Sequence, residues 1–240
     1  MEDARRRPSL AYGLKTLVAQ HPLLAMPIAK RRNHGVLVGR DTEVLIEGFP
    51  RSANSFSVAA FELAQGRPTI IAHHLHAPAH VIRATRLGVP AIVLIREPEE
   101  AVLEFLLIRR ELSLEQVFRG YVRFYEPLLV GTADYVVGPF DEVTQDFGSV
   151  IARVNERFER SFRLFDHTEE NVAVCFSAME RYWASRIGGG PDLERFVGRP
   201  SPLRDQWKAE LRREIQGPRL EALRTRARDV YRTFAGSARR

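Results

Sequence analysis

Three short apolar runs, Val44–Ile46, Thr69–Ala72 and Ala91–Ile95, are each flanked by turn residues and separated by longer stretches with helical periodicity. Near-continuous apolar runs of this length mark strands buried on both faces, as in a parallel sheet covered by helices. The intervening stretches predict helices over Asn54–Gln65, closed by Gly66, and Ala79–Leu87, closed by Gly88. Pro98 at a first helical turn, followed by Glu99 and Glu100, opens a third helix running towards Arg110. Further helices are expected from Leu114 to about Leu129, over Asp146–Phe158 and over 169–186, with a strand at Tyr135–Val137. Gly188-Gly189-Gly190-Pro191 breaks the chain before a last arginine-rich helix, about 203–234. The alternation predicts an α/β fold, a three-layer sandwich with a mostly parallel central sheet and right-handed crossovers.

The 240 residues, 45% apolar and 28% charged, suffice for a sizeable core and exclude a wholly disordered chain. A single cysteine, Cys175, excludes an intramolecular disulfide framework and any multi-cysteine metal site. No run approaches the roughly 20 apolar residues of a membrane-spanning helix. The early arginines Arg5 to Arg7 precede an apolar stretch broken by Lys15, Gln20, His21, Pro22 and Pro27, a poor secretory signal. A cytoplasmic protein is therefore expected.

The net charge of +6 is uneven. Residues 1–33 carry seven Lys or Arg against two acids, 34–203 carry 18 against 23, and 204–240 carry 11 against five. This suggests a basic N-terminal segment (1–33), a mildly acidic α/β domain (34–203) and a basic C-terminal helix (204–240). Basic ends suit an anionic membrane surface or a polyanion, or are simply solvated helix faces. The first segment mixes Leu10, Leu14, Leu17, Leu23 and Leu24 with its cations, as a surface-lying helix would, although ordinary packing on the domain explains it equally. The basic tail lacks any zinc-finger or RNP-like motif, which disfavours a nucleic-acid module.

Ligands of parallel sheets bind beyond the carboxyl ends of the strands, where loops and helix amino termini converge. There the three runs deliver Gly48-Phe49-Pro50-Arg51-Ser52-Ala53-Asn54-Ser55, then His73-His74-Leu75-His76, then Arg96-Glu97-Pro98. The first of these has the layout of a phosphate cradle, a P-loop-like turn from strand into helix. Against GxxxxGK[ST], Gly48 and Ser55 fit, but Ala53 stands for the second glycine and Asn54 for the lysine, which disfavours an ordinary nucleotide triphosphatase. The same turn also serves as a plain helix N-cap. Two of the three histidines could ligate zinc by spacing, but no carboxylate or cysteine motif accompanies them, so no metal is expected.

Together these residues resemble the sulfotransferases that use 3′-phosphoadenosine 5′-phosphosulfate (PAPS). That family's first loop reads approximately P-[KR]-S-G-[TN]-[TS]-[WF], and Pro50-Arg51-Ser52-Ala53-Asn54-Ser55-Phe56 follows it with alanine in place of glycine. A family histidine, commonly in T-H-L-P, falls at His74, and its R-x-P is matched by Arg96-Glu97-Pro98. The resemblance covers about residues 44–110, with a weaker echo at Tyr135–Thr144. It implies His74 as base, chosen over His73 and His76 by the motif alone, and Arg51 as the cation that stabilises the leaving oxygen. It further implies donor binding by Arg51, Ser52, Ala53, Asn54, Ser55 and Phe56, and 3′-phosphate binding by Arg96. Two departures stand out. Glu104 occupies the place of a phosphate-binding serine, and the late R-K-G loop is absent, leaving Arg199 and Ser201 of Gly198-Arg199-Pro200-Ser201 as substitutes.

The implied activity is sulfuryl transfer from PAPS to a hydroxyl of a carbohydrate, lipid or small metabolite, without a metal. The alternatives are a P-loop phosphotransferase, which the missing loop lysine disfavours, and a catalytically idle relative, to which Glu104 points. Sequence does not specify the oligomeric state.

Overall fold

The computed structural model describes residues 9–32, 35–199 and 201–238. Arg5–Arg7, Pro200, Arg239 and Arg240, named above or counted among the basic ends, lie outside the described residues. In chain order the elements begin with α1 (Leu10–Val18), α2 (Pro22–Arg32), β1 (Val44–Gly48), α3 (Asn54–Gln65), β2 (Ile71–His73) and α4 (Pro78–Leu87). They continue with β3 (Ala91–Ile95), α5 (Pro98–Ile108), α6 (Leu114–Tyr125), β4 (Val136–Pro139), α7 (Phe140–Gln145) and α8 (Phe147–Phe158). Last come α9 (Glu169–Ile187), α10 (Pro191–Phe196), α11 (Pro202–Ile215) and α12 (Glu221–Ser237).

The four strands pair in the order β2-β1-β3-β4, every pair parallel. Successive side chains of a strand point to opposite faces, and the apolar runs supply both. Leu45, Val93, Ile95 and Val137 face one core with residues of α4, α5, α6 and α12. Val44, Ile46, Ile92, Leu94 and Val136 face the other, with residues of α3, α8 and α9. The result is the expected α/β sandwich of helices, sheet and helices. The order of strand addition reverses between β1 and β3, since β1 leads to β2 on one side and β3 to β4 on the other. That switch point is where a crevice forms in sheets of this kind.

Three expectations need correction. The second strand is Ile71–His73 instead of Thr69–Ala72, because pairing continues to Ile46↔His73 and a bridge joins Val36 to His73. The helix after Leu114 ends at Tyr125, and a 3-10 turn led by Glu126-Pro127 follows. The arginine-rich stretch forms two helices, because Gly217-Pro218 breaks it between α11 and α12. α12 packs on the domain and buries Ala227, Val230 and Phe234 in the first core. Phe234 stacks on Tyr135 with ring centroids 5.8 Å apart. Among the described residues no helix is long and apolar enough to cross a membrane.

Candidate active site

The loops after β1, β2 and β3 meet at the carboxyl edge of the sheet. Of the five non-glycine residues with positive φ among the described residues, four lie in two of these loops: Arg51, Ala53, His74 and His76. Such backbone costs an L-residue about 1–2 kcal/mol, and it collects where surrounding structure holds a loop to a required shape. Ala53, at φ 69°, is the N-cap of α3 and makes no side-chain cap bond, so the first-turn N–H groups of that helix open toward the loop.

Buried polar contacts fix both loops from below. Glu47, an acid inside an otherwise apolar strand, is fully buried. It accepts hydrogen bonds from Leu75 N at 3.0 Å and Gly48 N at 3.2 Å. His80 takes the Val38 N–H on Nε2 at 2.9 Å, so its own proton sits on Nδ1, 2.8 Å from the Glu47 carboxylate. Burial pushes the Glu47 pKa up, but the His80 hydrogen bond and the nearby imidazoles outweigh it and leave it below the usual value. His76 donates from Nδ1 to the Gly48 carbonyl at 2.8 Å, which ties the histidine loop to the first loop.

Above this base, Ser55 Oγ lies 3.0 Å from His74 Nε2, and His74 Nδ1 lies 2.5 Å from His73 Nδ1. One of those facing Nδ1 atoms must carry a proton. Burial lowers the pKa of His73, which favours its neutral form. Arg96 reaches the same edge, donating to the Arg51 carbonyl at 3.2 Å and standing 4.0 Å above the Phe140 ring. Its own carbonyl accepts from Tyr121 Oη at 2.8 Å.

Arg51 sends its guanidinium to the Phe196 carbonyl, 2.8 Å away, and to Glu104 at 3.3 Å. Burial draws its pKa down to about 10, against the opposing pull of Glu104. Glu104 is also bound by Arg204 and, at 3.2 Å, by Lys208, both from α11. Burial alone would raise the Glu104 pKa, but Arg51, Arg204, Arg96 and Lys208 hold it at about 2. The carboxylate that stands in the place of a phosphate-binding serine is thus already neutralised by the protein's own cations.

The remaining residues of the first loop have individual roles. Ser52 is fully buried, and its hydroxyl lies 3.4 Å from Tyr125 Oη. That phenol donates to the Leu94 carbonyl at 2.7 Å and accepts from Phe49 N. Asn54 donates to the Phe49 carbonyl at 3.0 Å, while its buried Oδ1 has no protein partner. Phe56 packs against Phe165, Phe176 and His167, so only its backbone belongs to the loop. Arg199 and Ser201 do not join this group by direct contact. Arg199 pairs with Glu180 at 2.5 Å and Glu194 at 3.4 Å, and Ser201 caps α11 by accepting from Arg204 N. Gly198 is the neighbour that does adjoin the loop, since a Cβ there would meet Arg51 Nη2 at 2.9 Å.

Sequence reasoning missed Glu47, His80, Arg204 and Lys208. An acid at the end of an apolar strand was the available signal for Glu47; the other three are paired by tertiary contacts alone. Two surface cavities, of about 280 and 560 Å³, lie instead along α12, beside Arg224 and Val230 respectively. They are remote in sequence from the sheet-edge loops, and the chemistry of the loops, not cavity size, identifies the candidate site.

No known family model matches the chain, and no curated protein matches it. Among solved structures it is similar to mouse sulfotransferase SULT7A1 complexed with PAP. The TM-score is 0.40 at 11% sequence identity, covering 79% of this chain and 90% of that one.

Proposed function

We propose that this chain is a sulfotransferase that moves a sulfuryl group from PAPS to a hydroxyl of an acceptor molecule. One observation carries the reading. The motif-bearing loops bring His74, the proposed base, into hydrogen-bond contact with Ser55 in the uncapped first turn of α3, and bring Arg96 against the backbone of the same loop.

These residues fit an anionic donor: an open helix amino terminus attracts negative charge, and Arg96 adds a guanidinium against the backbone of the same loop. The N–H groups of residues 54–56, Ser55 Oγ and Arg96 would hold the phosphate and sulfate oxygens. When bound, PAPS supplies an activated sulfuryl group on a phosphate leaving group.

The chain supplies the proton and charge management. With His74 donating from Nδ1 to His73, the lone pair of His74 lies on Nε2, toward Ser55 and the helix terminus. There it can take the proton of an acceptor hydroxyl, a contribution of about 10²–10⁴-fold for a positioned base. Arg96 stays charged throughout and offsets the negative charge that grows on the leaving oxygen, whereas the Arg51 guanidinium is committed to Glu104 and the Phe196 carbonyl. Arg199 and Ser201, occupied by an ion pair and a helix cap, receive no part in this scheme.

Calorimetry with 3′,5′-adenosine bisphosphate, the desulfated donor, tests the reading. The full chain should bind it, and Arg96→Ala should weaken binding about 10- to 100-fold, the worth of hydrogen bonds to a charged group. Equal affinity in the variant removes Arg96 from the site; no binding by the parent chain overturns the proposal.

A further inference from the structure

The amino-terminal helices carry a surface that the transfer chemistry does not use. Six of the sixteen exposed large apolar side chains among the described residues lie within Leu10–Ile28. Leu10, Leu14 and Leu17 recur at helical spacing on α1, opposite Tyr12, which is buried against Phe105. On α2, Leu23, Leu24 and Ile28 are exposed, while Ala25, Met26 and Ala29 pack inward against Leu75, Ala77 and Ala79. Leu10 and Leu23 are each 87% exposed, far beyond a side chain that merely rims a core. Singly scattered apolar residues are ordinary on a surface; a stripe of them along one exposed helix face marks an interaction site.

The charge on the two helices themselves has one sign. Residues 9–32 contain no Asp or Glu, and Lys15, Lys30, Arg31 and Arg32 are all exposed there. Leucines that project from helices bearing only cations complement a surface that is apolar within and anionic at its face. A lipid leaflet has that layering, and helices of this composition lie in its headgroup region.

We infer that α1 and α2 dock the protein on an anionic lipid membrane, with Leu10, Leu14, Leu17, Leu23, Leu24 and Ile28 entering the headgroup boundary and Lys15, Lys30, Arg31 and Arg32 meeting the phosphates. This places the candidate site near the lipid plane. The Ala19 carbonyl, between the two helices, accepts from Ala79 N at 3.1 Å, and α2 packs directly on Leu75 of the histidine loop. An acceptor anchored in the leaflet would therefore be presented close to His74.

The inference goes beyond sulfuryl transfer and is tested without any donor. The full chain is floated with vesicles of equal parts phosphatidylglycerol and phosphatidylcholine, and with phosphatidylcholine alone. It should float with the first, weakly with the second, and less as salt rises. Lys30→Gln/Arg31→Gln/Arg32→Gln should weaken the partition about 100-fold, since each cation near an anionic surface contributes roughly fivefold. Leu14→Gln/Leu17→Gln/Leu24→Gln, at exposed positions, should abolish flotation while melting at the parent temperature.

A chain that stays with the unbound fraction at low salt, or a leucine variant that floats as well as the parent, overturns the inference. So does light scattering that shows a dimer dissolved by the leucine substitutions without vesicle binding, which would make a second copy the occupant. Failure here leaves nucleotide binding untouched, so the two proposals are separable.

Discussion

Ser55 Oγ and His74 Nε2 are 3.0 Å apart, joining the loop after β1 to the loop after β2 across 19 residues of sequence. The contact ties the proposed base to the helix terminus proposed to hold the anion. His74→Ala should lower turnover about 10²–10⁴-fold with little change in calorimetric affinity for 3′,5′-adenosine bisphosphate. Unchanged turnover would remove His74 as the base.

Glu104 should make the fold acid-sensitive. Its carboxyl is held at about 2 against a usual 4.5, so the folded state binds its proton less readily than the unfolded state does. The associated stability, about 3 kcal/mol, is fully present above roughly pH 4.5 and is lost as pH falls toward 2. Glu104→Gln should be less stable than the parent at pH 7, because Arg51, Arg204 and Lys208 lose their shared counter-charge. Urea melts should show the gap closing as pH falls through that window. A gap that persists at low pH would contradict the ion cluster.

Ala53 holds a left-handed backbone at φ 69°. Ala53→Gly relieves about 1–2 kcal/mol of strain and adds back about 0.4–1 kcal/mol through a freer unfolded chain. A small rise in Tm is the expected result of a thermal melt. A fall would mean that the alanine methyl contributes packing that outweighs its strain.

Glu47→Ala should cost about 3–5 kcal/mol, the range for removing one partner of a buried charged network. It strands the Leu75 N–H, the Gly48 N–H and His80 Nδ1 without their acceptor. Amide exchange should then accelerate in residues 73–77. Unchanged exchange would show that the histidine loop is held by other means.

Much of this architecture could be read before any coordinates. The α3 boundaries follow from its periodicity and from Gly66, which closes the helix at φ 61°. Unbroken burial along β1 and β3 follows from apolar residues on both faces. The shift of β2 to Ile71–His73 could not be seen, because His73 joins the strand through partners at Ile46 and Val36. In the site, Arg51, His74 and Arg96 stood out as polar residues at strand ends. Arg204 and Lys208 belong to the stretch read only as a basic C-terminal helix, and the structure buries them on Glu104, 100 and 104 residues away in the chain. Local periodicity carries no information about such a pairing.

The account rests on an anion site at the turn from β1 into α3, and thermal stabilisation tests that most directly. At 100 times its dissociation constant, 3′,5′-adenosine bisphosphate should add about 2.7 kcal/mol of stability, a readily measured rise in Tm that ATP with Mg²⁺ does not reproduce. No shift with the bisphosphate, or a larger one with ATP and Mg²⁺, would contradict the proposed donor and with it the transferase reading.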